Sequence, residues 1–547
     1  MVSPKRRLVL HPYLFALYAV MALFANNIAQ IGLAGIRALL VSVIGVVFVM
    51  VLTRLLLRDA VKAGLITSGV ILLTFSYGHV ENLTASWKVG NFQVGHPAVL
   101  ASIWVVLFLL WAYLVLRRWQ NLGVISDYLN WVSLILNVFP IYTLVLFNRQ
   151  SVRAEKWVQA YVETAWLAGE VAGVEPMVRM EVAGAAPDIY YIILDAYARA
   201  DGLQALYDYD NRAFIEALEK RGFFVAGASN ANYTDTELSL ASSLNMIHIS
   251  DAPEFFRERA GSASESMVSS AATELIRQNR VADILRAQDY TFVAFDSGYP
   301  IARASGADLF LGPPDVGDEN FVEAMFDMML LDTSVGRLFF RLRGEEFEPL
   351  QSLFDAHRSR IGYTFASLPE FAEKEGNYFV FAHVMCPHPP FVFGPNGEEL
   401  KRSDPYTLLD GDPPTEENIT LYRDQVKYVS QLTMQAIDRI LANSSTPPVI
   451  ILQGDHGSKA YSEADPPEDI RMMLLFPILN AYHLPLDGDA WLYDSISPVN
   501  SFRLIFNRYL GTNLDLLEDK GYILDVDQGE AQFVDVCAMY GYCSPSP

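Results

Sequence analysis

The sequence predicts an N-terminal α-helical transmembrane bundle followed by an α/β three-layer domain with a mostly parallel sheet. Three observations support this fold class. Five long apolar runs lie within the first 150 residues, basic residues cluster between alternate runs, and short β-rich runs alternate with helical patterns from Pro187 onward. At 547 residues the chain is too long for one ordinary domain. We therefore expect a transmembrane bundle at 1–148, a juxtamembrane connector at 149–186 and the α/β domain at 187–547.

The apolar runs have the length of membrane spans. They lie at 9–28, 34–57, 62–79, 96–116 and 128–148. Each is close to the ~20 residues that an α-helix needs to cross the hydrocarbon core of a bilayer. The run Ala98–Leu116 contains no charged residue. The sequence therefore predicts about five transmembrane helices.

The distribution of basic residues predicts the orientation of these spans. One set of flanks carries most of the basic side chains of this region: Lys5, Arg6, Arg7, Arg54, Arg58, Lys62, Arg117 and Arg118. The opposite loops contain only Arg37 and Lys88. Because basic loops stay in the cytoplasm, the N-terminus is expected inside and everything after residue 150 outside. Removal of the first span as a signal peptide would leave that external location unchanged.

The two parts of the chain have opposite charge. Residues 1–150 carry 11 basic and three acidic residues, whereas residues 151–547 carry 29 basic and 60 acidic residues. Such an acidic domain repels polyanions, so nucleic acid is excluded as a partner. It attracts divalent cations, which favours metal chemistry.

The part after Pro187 has the pattern of a parallel sheet covered by helices. The predicted strands are Ile189–Leu194, Phe223–Ala226, Tyr290–Phe295, Tyr378–Phe381, Val449–Leu452 and Met472–Phe476. Helices are predicted at 211–221, 269–287, 319–330, 351–373 and 420–442, with Ser269 and Ser270 as candidate N-caps of the second.

Acids and imidazoles follow three of the predicted strands. Asp195 ends the first strand, His383 follows Tyr378–Phe381, and Val449–Leu452 leads into Asp455-His456-Gly457. In open α/β sheets the ligand site lies beyond the carboxyl ends of the strands. An Asp after one strand is usually a turn or cap residue, but three such strands together predict a functional site.

This combination of motifs resembles the alkaline phosphatase/sulfatase superfamily. The layout of spans and an external domain is similar to its lipoteichoic acid synthase-like and phosphoethanolamine transferase-like branches. The resemblance implies a nucleophile a few dozen residues after the first metal-ligand strand, in the segment 232–243. In the transferase-like branch the nucleophilic threonine has Ser at +3 and a small residue or Pro at +5. Thr236 matches this spacing through Ser239 and Ala241, whereas Thr234 has Glu237 at +3. Helix N-capping is the non-catalytic interpretation of either threonine.

The resemblance also implies a metal centre. Asp195, Thr236, Asp455 and His456 are its expected ligands, and a bound cation would activate the weakly nucleophilic threonine hydroxyl. Mixed carboxylate and imidazole ligation suits one Zn²⁺ or Mn²⁺ better than Mg²⁺ or Ca²⁺, with a second metal as an alternative. His383 and His388 form a His-x4-His pair similar to that of the phosphoethanolamine transferases, which implies contacts with the substrate. Alternatively, His383 is a hydrogen-bonded residue of the core and His388 caps a turn.

The expected function is a membrane-anchored transferase that moves a phosphoglycerol- or phosphoethanolamine-type group through Thr236. A membrane phospholipid is the expected donor and an envelope glycan or lipid the acceptor. Two alternatives stay open: an ester hydrolase of the same fold, such as a phosphodiesterase or phosphatase, and a non-catalytic binding protein. Sulfatase chemistry is disfavoured because no Cys or Ser stands in the C/S-x-P-x-R context that it requires. Cys537 and Cys543 form a disulfide or remain free thiols.

Overall fold

The chain forms two compact units. The computed structural model describes residues 7–31, 35–85, 87–89, 92–168, 185–251, 264–343, 347–402, 406, 408, 415–460, 466–527 and 530–540. Unit 1 comprises Met1–Asn148, Asp318–Phe354 and Lys401–Tyr406, and unit 2 comprises Arg149–Gly317, Asp355–Leu400 and Thr407–Pro547.

Five long helices lie on the five predicted spans, and the last of them continues beyond residue 148 into the segment assigned to unit 2. They are α1 His11–Ile31, α2 Gly35–Leu57, α3 Ala60–Thr84, α4 Pro97–Tyr113 and α5 Leu122–Ala168. A π-turn, Leu114–Arg118, extends α4, and a short hairpin of β1 Lys88–Val89 and β2 Phe92–Gln93 precedes it. Among the described residues, α2, α3, α4 and α5 are long and apolar enough to cross a bilayer. The protein is therefore a membrane protein, and the number of passes stays a prediction.

Two helices from the middle of the chain belong to unit 1. They are α11 Asp318–Thr333 and α12 Arg337–Arg343. Arg37, at the start of α2, forms ion pairs with Glu323 and Asp327 of α11. The sequence predicted the first of these helices but not its unit, because hydrophobic periodicity does not reveal which surface a helix packs against.

The core of unit 2 is a seven-stranded sheet. Its strands are β3 Ile189–Leu194, β4 Phe224–Val225, β5 Thr291–Phe295, β6 Leu309–Leu311, β7 Tyr378–Val384, β8 Val449–Gln453 and β9 Asn480–His483, in the order β4-β9-β8-β3-β7-β5-β6. Strands β8, β3, β7, β5 and β6 run parallel, and β9 pairs antiparallel with β8 and β4. This mostly parallel sheet confirms the predicted fold class.

Helices cover both faces of the sheet. All six residues of β3 are buried, as expected for a strand with helices on either side. Ile189, Tyr191 and Ile193 pack in one core with side chains of several helices. On the other side, the Tyr422 hydroxyl donates to the carbonyl of Ala196. The remaining helices are α6 Ala200–Tyr207, α7 Arg212–Glu219, α8 Thr236–Asn245, α9 Glu265–Arg277, α10 Arg280–Arg286, α13 Glu348–Ser367, α14 Glu416–Asn443, α15 Glu468–Leu475, α16 Pro498–Tyr509 and α17 Val536–Tyr540.

Two predicted elements differ from the structure. The run Met472–Phe476 is wrong as a strand, because it lies in α15 and at its C-cap, and the strand is Asn480–His483 instead. A short apolar run has no periodicity that separates a strand from a buried helix. The predicted helix 269–287 is two helices, capped by the side chains of Ser264 and Asn279 rather than by Ser269 or Ser270.

The predicted connector and the C-terminus are described in part. Helix α5 continues to Ala168, so the first half of 149–186 is helical, and residues 169–184 lie outside the described residues. Near the C-terminus, β10 Tyr522–Asp527 and β11 Glu530–Asp535 form a hairpin. Cys537 is disulfide-bonded, while the position of Cys543 lies outside the described residues.

The carboxyl group of Asp188 makes the stability of the α/β fold dependent on pH. It accepts a hydrogen bond from the backbone N–H of Tyr378 at 2.9 Å. Burial outweighs this bond and raises the pKa of Asp188 from 3.8 to about 7. Since the unfolded chain loses this proton first, the contribution of Asp188 to stability falls as the pH rises from about 4 to about 7.

We expect Asp188→Asn to remove this loss of stability with rising pH. The amide oxygen of Asn accepts the same hydrogen bond from the N–H of Tyr378, and the side chain carries no charge. The melting temperature of the full-length variant in detergent should exceed that of the natural protein increasingly between pH 4 and 7, with a constant difference above. If the difference in melting temperature between the variant and the natural protein did not change with pH across this range, the role assigned to Asp188 would be contradicted.

Candidate metal centre and active site

The predicted site residues follow three neighbouring strands. Asp195 follows β3, His383 lies near the end of β7, and Asp455 and His456 follow β8. Because β8, β3 and β7 are adjacent and parallel, their carboxyl ends meet at one edge of the sheet. All four side chains are buried there.

The carboxylate of Asp455 is oriented by two backbone groups. Its Oδ1 accepts hydrogen bonds from the N–H of Ala196 at 3.0 Å and of His456 at 2.9 Å. Its Oδ2 has no hydrogen-bond partner among the described residues and lies 3.6 Å from His456 Nε2. One oxygen is thus committed to the backbone, and the other faces the imidazole.

The backbone sets the tautomer of His456. Its Nδ1 lies 2.7 Å from the carbonyl oxygen of Gly457, which can only accept a hydrogen bond. Nδ1 therefore carries the proton, and Nε2 of the neutral ring carries the lone pair that a metal ligand needs. Gly457 is required at this turn because a Cβ there would lie 1.9 Å from the carbonyl oxygen of Leu474.

Asp195 lies between the two imidazoles. Its Oδ2 is 3.0 Å from His383 Nε2, and its Oδ1 is 3.7 Å from His456 Nε2. Among the described residues Oδ1 accepts no hydrogen bond. Burial alone would raise the pKa of Asp195, but the charges of His388, His383 and His456 and the hydrogen bond from His383 lower it below its usual range. Asp195 is therefore ionised at neutral pH.

Thr236, which lies in another part of the fold, contacts the imidazole of His456. It is the first residue of α8 and is 5% exposed. Its Oγ1 lies 3.2 Å from His456 Nε2. Thr234, the competing candidate, donates its hydroxyl hydrogen bond to Asp235 at 3.0 Å. Thr236, Asp195 and Asp455 thus all approach one nitrogen of His456.

This cluster fits a divalent cation. Asp195, Asp455 and His456 each offer a ligand atom, and these atoms lie within 4.8 Å of one another. A tetrahedral ion with bonds of about 2.0 Å separates its ligand atoms by about 3.3 Å. The distances to His456 Nε2 from Thr236, Asp455 and Asp195 are 3.2, 3.6 and 3.7 Å. A cation would also satisfy Asp195 Oδ1 and Asp455 Oδ2, which are buried without a hydrogen bond in the described chain.

The two predicted substrate-contact histidines occupy different positions. His383 contacts the carboxylate of Asp195, as described above. His388 is 4% exposed, and its ring centroid lies 6.4 Å from that of His456. Its Nδ1 is 2.5 Å from the carbonyl oxygen of Pro389, so Nε2 of the neutral ring carries the lone pair. His388 therefore lies beside His456 at the edge of the cluster.

A buried glutamine on α14 holds the loop that carries His388. Gln425 Nε2 donates to the carbonyls of Pro387 and His388 at 3.2 and 3.3 Å, and its Oε1 accepts from the N–H of Val392 at 2.9 Å. The sequence analysis missed this residue. Its only signal was a polar residue within a predicted helix, and such a residue does not reveal a partner 33–38 residues away.

Two other polar residues near this edge have structural contacts. Asp296, after β5, accepts a hydrogen bond from Arg360 Nε at 2.8 Å and another from the N–H of Gly298 at 3.1 Å. Cys386 is a free cysteine, and burial raises the pKa of its thiol. It is not part of the described metal cluster, so a thiolate ligand is not indicated there.

The fold and the site define a membrane protein with a mostly parallel α/β domain that carries a buried Asp/His/Thr cluster at the carboxyl edge of its sheet. Comparison with solved structures found several of this architecture. The periplasmic domain of EptC from Escherichia coli in complex with Zn has a TM-score of 0.40 at 12% identity over 68% of this chain and 98% of that chain. The integral membrane lipooligosaccharide phosphoethanolamine transferase A from Neisseria meningitidis has a TM-score of 0.37 at 12% identity, over 92% and 94% of the two chains.

A third similar structure is BT1596, a 2-O GAG sulfatase, with a TM-score of 0.35 at 12% identity, over 60% of this chain and 71% of that chain. These proteins are phosphoethanolamine transferases and sulfatases, the groups that the sequence resembles. No family model and no curated protein matches the chain. At such identities and TM-scores, these likenesses do not assign an activity.

The cluster predicts that Asp455→Asn abolishes metal binding while the fold persists. The amide oxygen can keep the two backbone hydrogen bonds of Oδ1, but the amide nitrogen replaces Oδ2 and cannot ligate a cation. Elemental analysis of the purified full-length protein should find about one equivalent of Zn²⁺ or Mn²⁺, and much less than one in the variant. Asp201→Asn, an exposed position in the same unit, is the control and should keep the metal. Full occupancy in Asp455→Asn would show that the ligands are assigned incorrectly.

Proposed function

We propose that this protein is a membrane-anchored, metal-dependent transferase of phospho-groups that uses Thr236 as its nucleophile. The observation that carries the proposal is the contact of 3.2 Å between Thr236 Oγ1 and His456 Nε2, beside two buried carboxylates. A serine or threonine hydroxyl is a poor nucleophile unless a base or a metal activates it. A threonine used only as a helix cap would need no such surroundings.

The position of Thr236 favours negative charge on its oxygen. It begins α8, where unpaired N–H groups and the helix dipole stabilise an anion. A cation held by Asp195, Asp455 and His456 would supply positive charge that lowers the pKa of the hydroxyl and neutralises the phospho-group. Carboxylate and imidazole ligands together favour Zn²⁺ or Mn²⁺. Asp195 is oriented for this role by His383.

The proposed reaction has two displacements at phosphorus. In the first, Thr236 Oγ1 forms a bond to the phosphorus of a phospholipid headgroup and loses its proton. The bond from phosphorus to the lipid oxygen breaks, and that oxygen keeps the electron pair and takes up a proton. In the second, a hydroxyl or amine of an envelope glycan or lipid forms a bond to the phosphorus and loses its proton. The bond from phosphorus to Thr236 Oγ1 breaks, and that oxygen keeps the electron pair and regains a proton. His388, which faces the cluster, is proposed to contact the phosphoryl oxygens or the leaving group.

The proposed location of the α/β domain is extracytoplasmic. Two observations support it. The basic loops of the sequence flank one end of the predicted spans, and Arg37, an exception on the other side, is neutralised by Glu323 and Asp327 from the middle of the chain. The disulfide bond of Cys537 is typical of an oxidising compartment.

The first test of the proposal concerns the nucleophile. Thr236→Ala should lower turnover of phosphodiester substrates by about 10³-fold or more, because it removes the covalent step rather than weakening binding. Thr234→Ala is the matched control, two residues away and equally buried, and should lower turnover far less. Thr236→Ser should retain part of the activity because it keeps the hydroxyl.

Mass spectrometry of the protein trapped with substrate should find the added phospho-group on the peptide that contains Thr236. Substrate-dependent modification of Thr234 instead would contradict the choice of residue. Activity of Thr236→Ala without any modification would indicate attack by water and assign the protein to the hydrolases.

The second test concerns the orientation. A reporter enzyme that functions only outside the cytoplasm, fused after Pro547, should be active. The same reporter fused after Arg58, in a basic loop, is the control and should be inactive. The reverse result would place the α/β domain in the cytoplasm and overturn the proposed donor and acceptor.

A further inference from the structure

The segment that leads into Thr236 makes a set of buried contacts separate from the metal cluster. We define the Thr236 loop as residues 230–236. Asn232 lies near the start of this loop and is 1% exposed. Its side chain makes three hydrogen bonds with described residues, and its backbone carbonyl accepts another from the N–H of Tyr522 at 2.8 Å. None of these four partner residues belongs to the metal cluster.

The side-chain amide of Asn232 has one orientation. Its Oδ1 accepts a hydrogen bond from the N–H of Val499 at 2.9 Å, and its Nδ2 donates to the carbonyl of Lys520 at 2.8 Å. A backbone N–H only donates and a backbone carbonyl only accepts, so exchanging the oxygen and nitrogen of this amide would lose both bonds. Asn232 therefore joins the Thr236 loop to the start of α16 and to the segment that leads into β10.

A carboxylate behind Asn232 determines its third hydrogen bond. Asp519 Oδ1 accepts from the N–H and from the hydroxyl of Ser497, at 2.9 and 2.7 Å. An ionised carboxylate only accepts, so the Ser497 hydroxyl directs its proton to Asp519 and a lone pair to Asn232 Nδ2, which lies 3.1 Å away. Asn500 Nδ2 also donates to Asp519 Oδ1, at 3.0 Å. Asp519 thus fixes the hydroxyl that in turn fixes the amide of Asn232.

The Thr236 loop is closed at its other end by contacts of Tyr233. The ring of Tyr233 stacks on that of Tyr522, with centroids 5.7 Å apart and planes inclined by 23°. The carbonyl of Tyr233 accepts a hydrogen bond from Ser239 Oγ at 3.0 Å. Ser239 lies within α8, three residues after Thr236. Thr236 therefore lies between two residues, Tyr233 and Ser239, that are bonded to each other.

These contacts determine where the Thr236 hydroxyl lies. Its Oγ1 is 3.2 Å from His456 Nε2, whereas Asp195, Asp455 and His456 follow the strands β3 and β8 and do not belong to this loop. A displacement of about 1 Å in a reacting group can lower a rate about 10²-fold, because the attacking atom is no longer aligned. Loss of the Asn232 contacts should therefore slow the first displacement without removing the metal.

We propose that Asn232 is a positioning residue for the nucleophile. Its hydrogen bonds hold the Thr236 loop against α16 and the segment before β10, and so keep Thr236 Oγ1 at His456 Nε2. Ser497 and Asp519 support it by fixing the orientation of its amide. The inference rests on the proposed use of Thr236 and deepens it, because it assigns the residues that keep the nucleophile in place.

The test replaces Asn232 by Asp in the full-length protein in detergent. The variant keeps an acceptor for the N–H of Val499, but an oxygen now faces the carbonyl of Lys520, where a donor is required. With bis(p-nitrophenyl) phosphate as the substrate, we expect kcat to fall about 10²-fold and KM to change less than about threefold. Elemental analysis should find the metal content unchanged.

Hydrogen exchange measures the loop itself, independently of any substrate. The amides of residues 233–238 should exchange at least about tenfold faster in Asn232→Asp than in the natural protein. Asn507→Asp is the matched control, because Asn507 Nδ2 and Oδ1 bond the carbonyl and the N–H of Leu514, both at 2.7 Å. It should lower the melting temperature to a similar extent and leave kcat and the exchange of residues 233–238 unchanged.

Ser497→Ala is the second variant, in case Asn232→Asp does not fold. It removes one acceptor of Asn232 Nδ2 and should lower kcat about tenfold. Unchanged exchange of residues 233–238 in the folded variants, or an equal fall of kcat in Asn507→Asp, would overturn the proposal. Faster exchange together with a fully active Thr236→Ala would instead overturn the proposed nucleophile, while the anchoring of the Thr236 loop by Asn232 would stand.

Discussion

The α/β domain depends on the burial of two carboxylates at the carboxyl edge of its sheet. Asp195 and Asp455 are 0% and 2% exposed, and each has one oxygen without a hydrogen bond among the described residues. A fold that only needed stability would avoid this arrangement, because burying charge without a partner is costly. The surrounding contacts hold both acids close to His456, and the neighbouring imidazoles lower the pKa of Asp195. A bound cation would offset the unfavourable burial of these two carboxylates.

The rest of the site follows from that constraint. The carbonyl of Gly457 fixes the proton on His456 Nδ1, which directs the lone pair of Nε2 towards the two acids and Thr236. His383 supports Asp195, and Gln425 holds the backbone of the His388 loop from the opposite helix layer. Asp195, Asp455 and His456, the proposed ligands, are thus each oriented by a hydrogen bond to the backbone or to His383, as is usual in well-ordered metal sites.

Charged side chains of unit 1 are likewise paired with opposite charges. Arg37 is balanced by Glu323 and Asp327, and Arg337 is balanced by Asp332. The buried carboxylate of Glu81 is paired with Arg341. A charged side chain near a membrane span is energetically unfavourable unless it is paired.

The sequence alone determined the apolar spans, the parallel α/β pattern and the residues that end the strands, because these features depend on local composition and period. The helices on all five predicted spans and the positions of Ile189–Leu194 and Val449–Gln453 agree with it. The short apolar run Met472–Phe476 was misassigned, because neighbouring layers decide between helix and strand there. Only the tertiary structure decided that Thr236 meets His456 across 220 residues, that His383 supports Asp195, and that α11 and α12 belong with the spans. Such contacts depend on how distant elements pack, and no local pattern encodes a distance between atoms that are far apart in the chain.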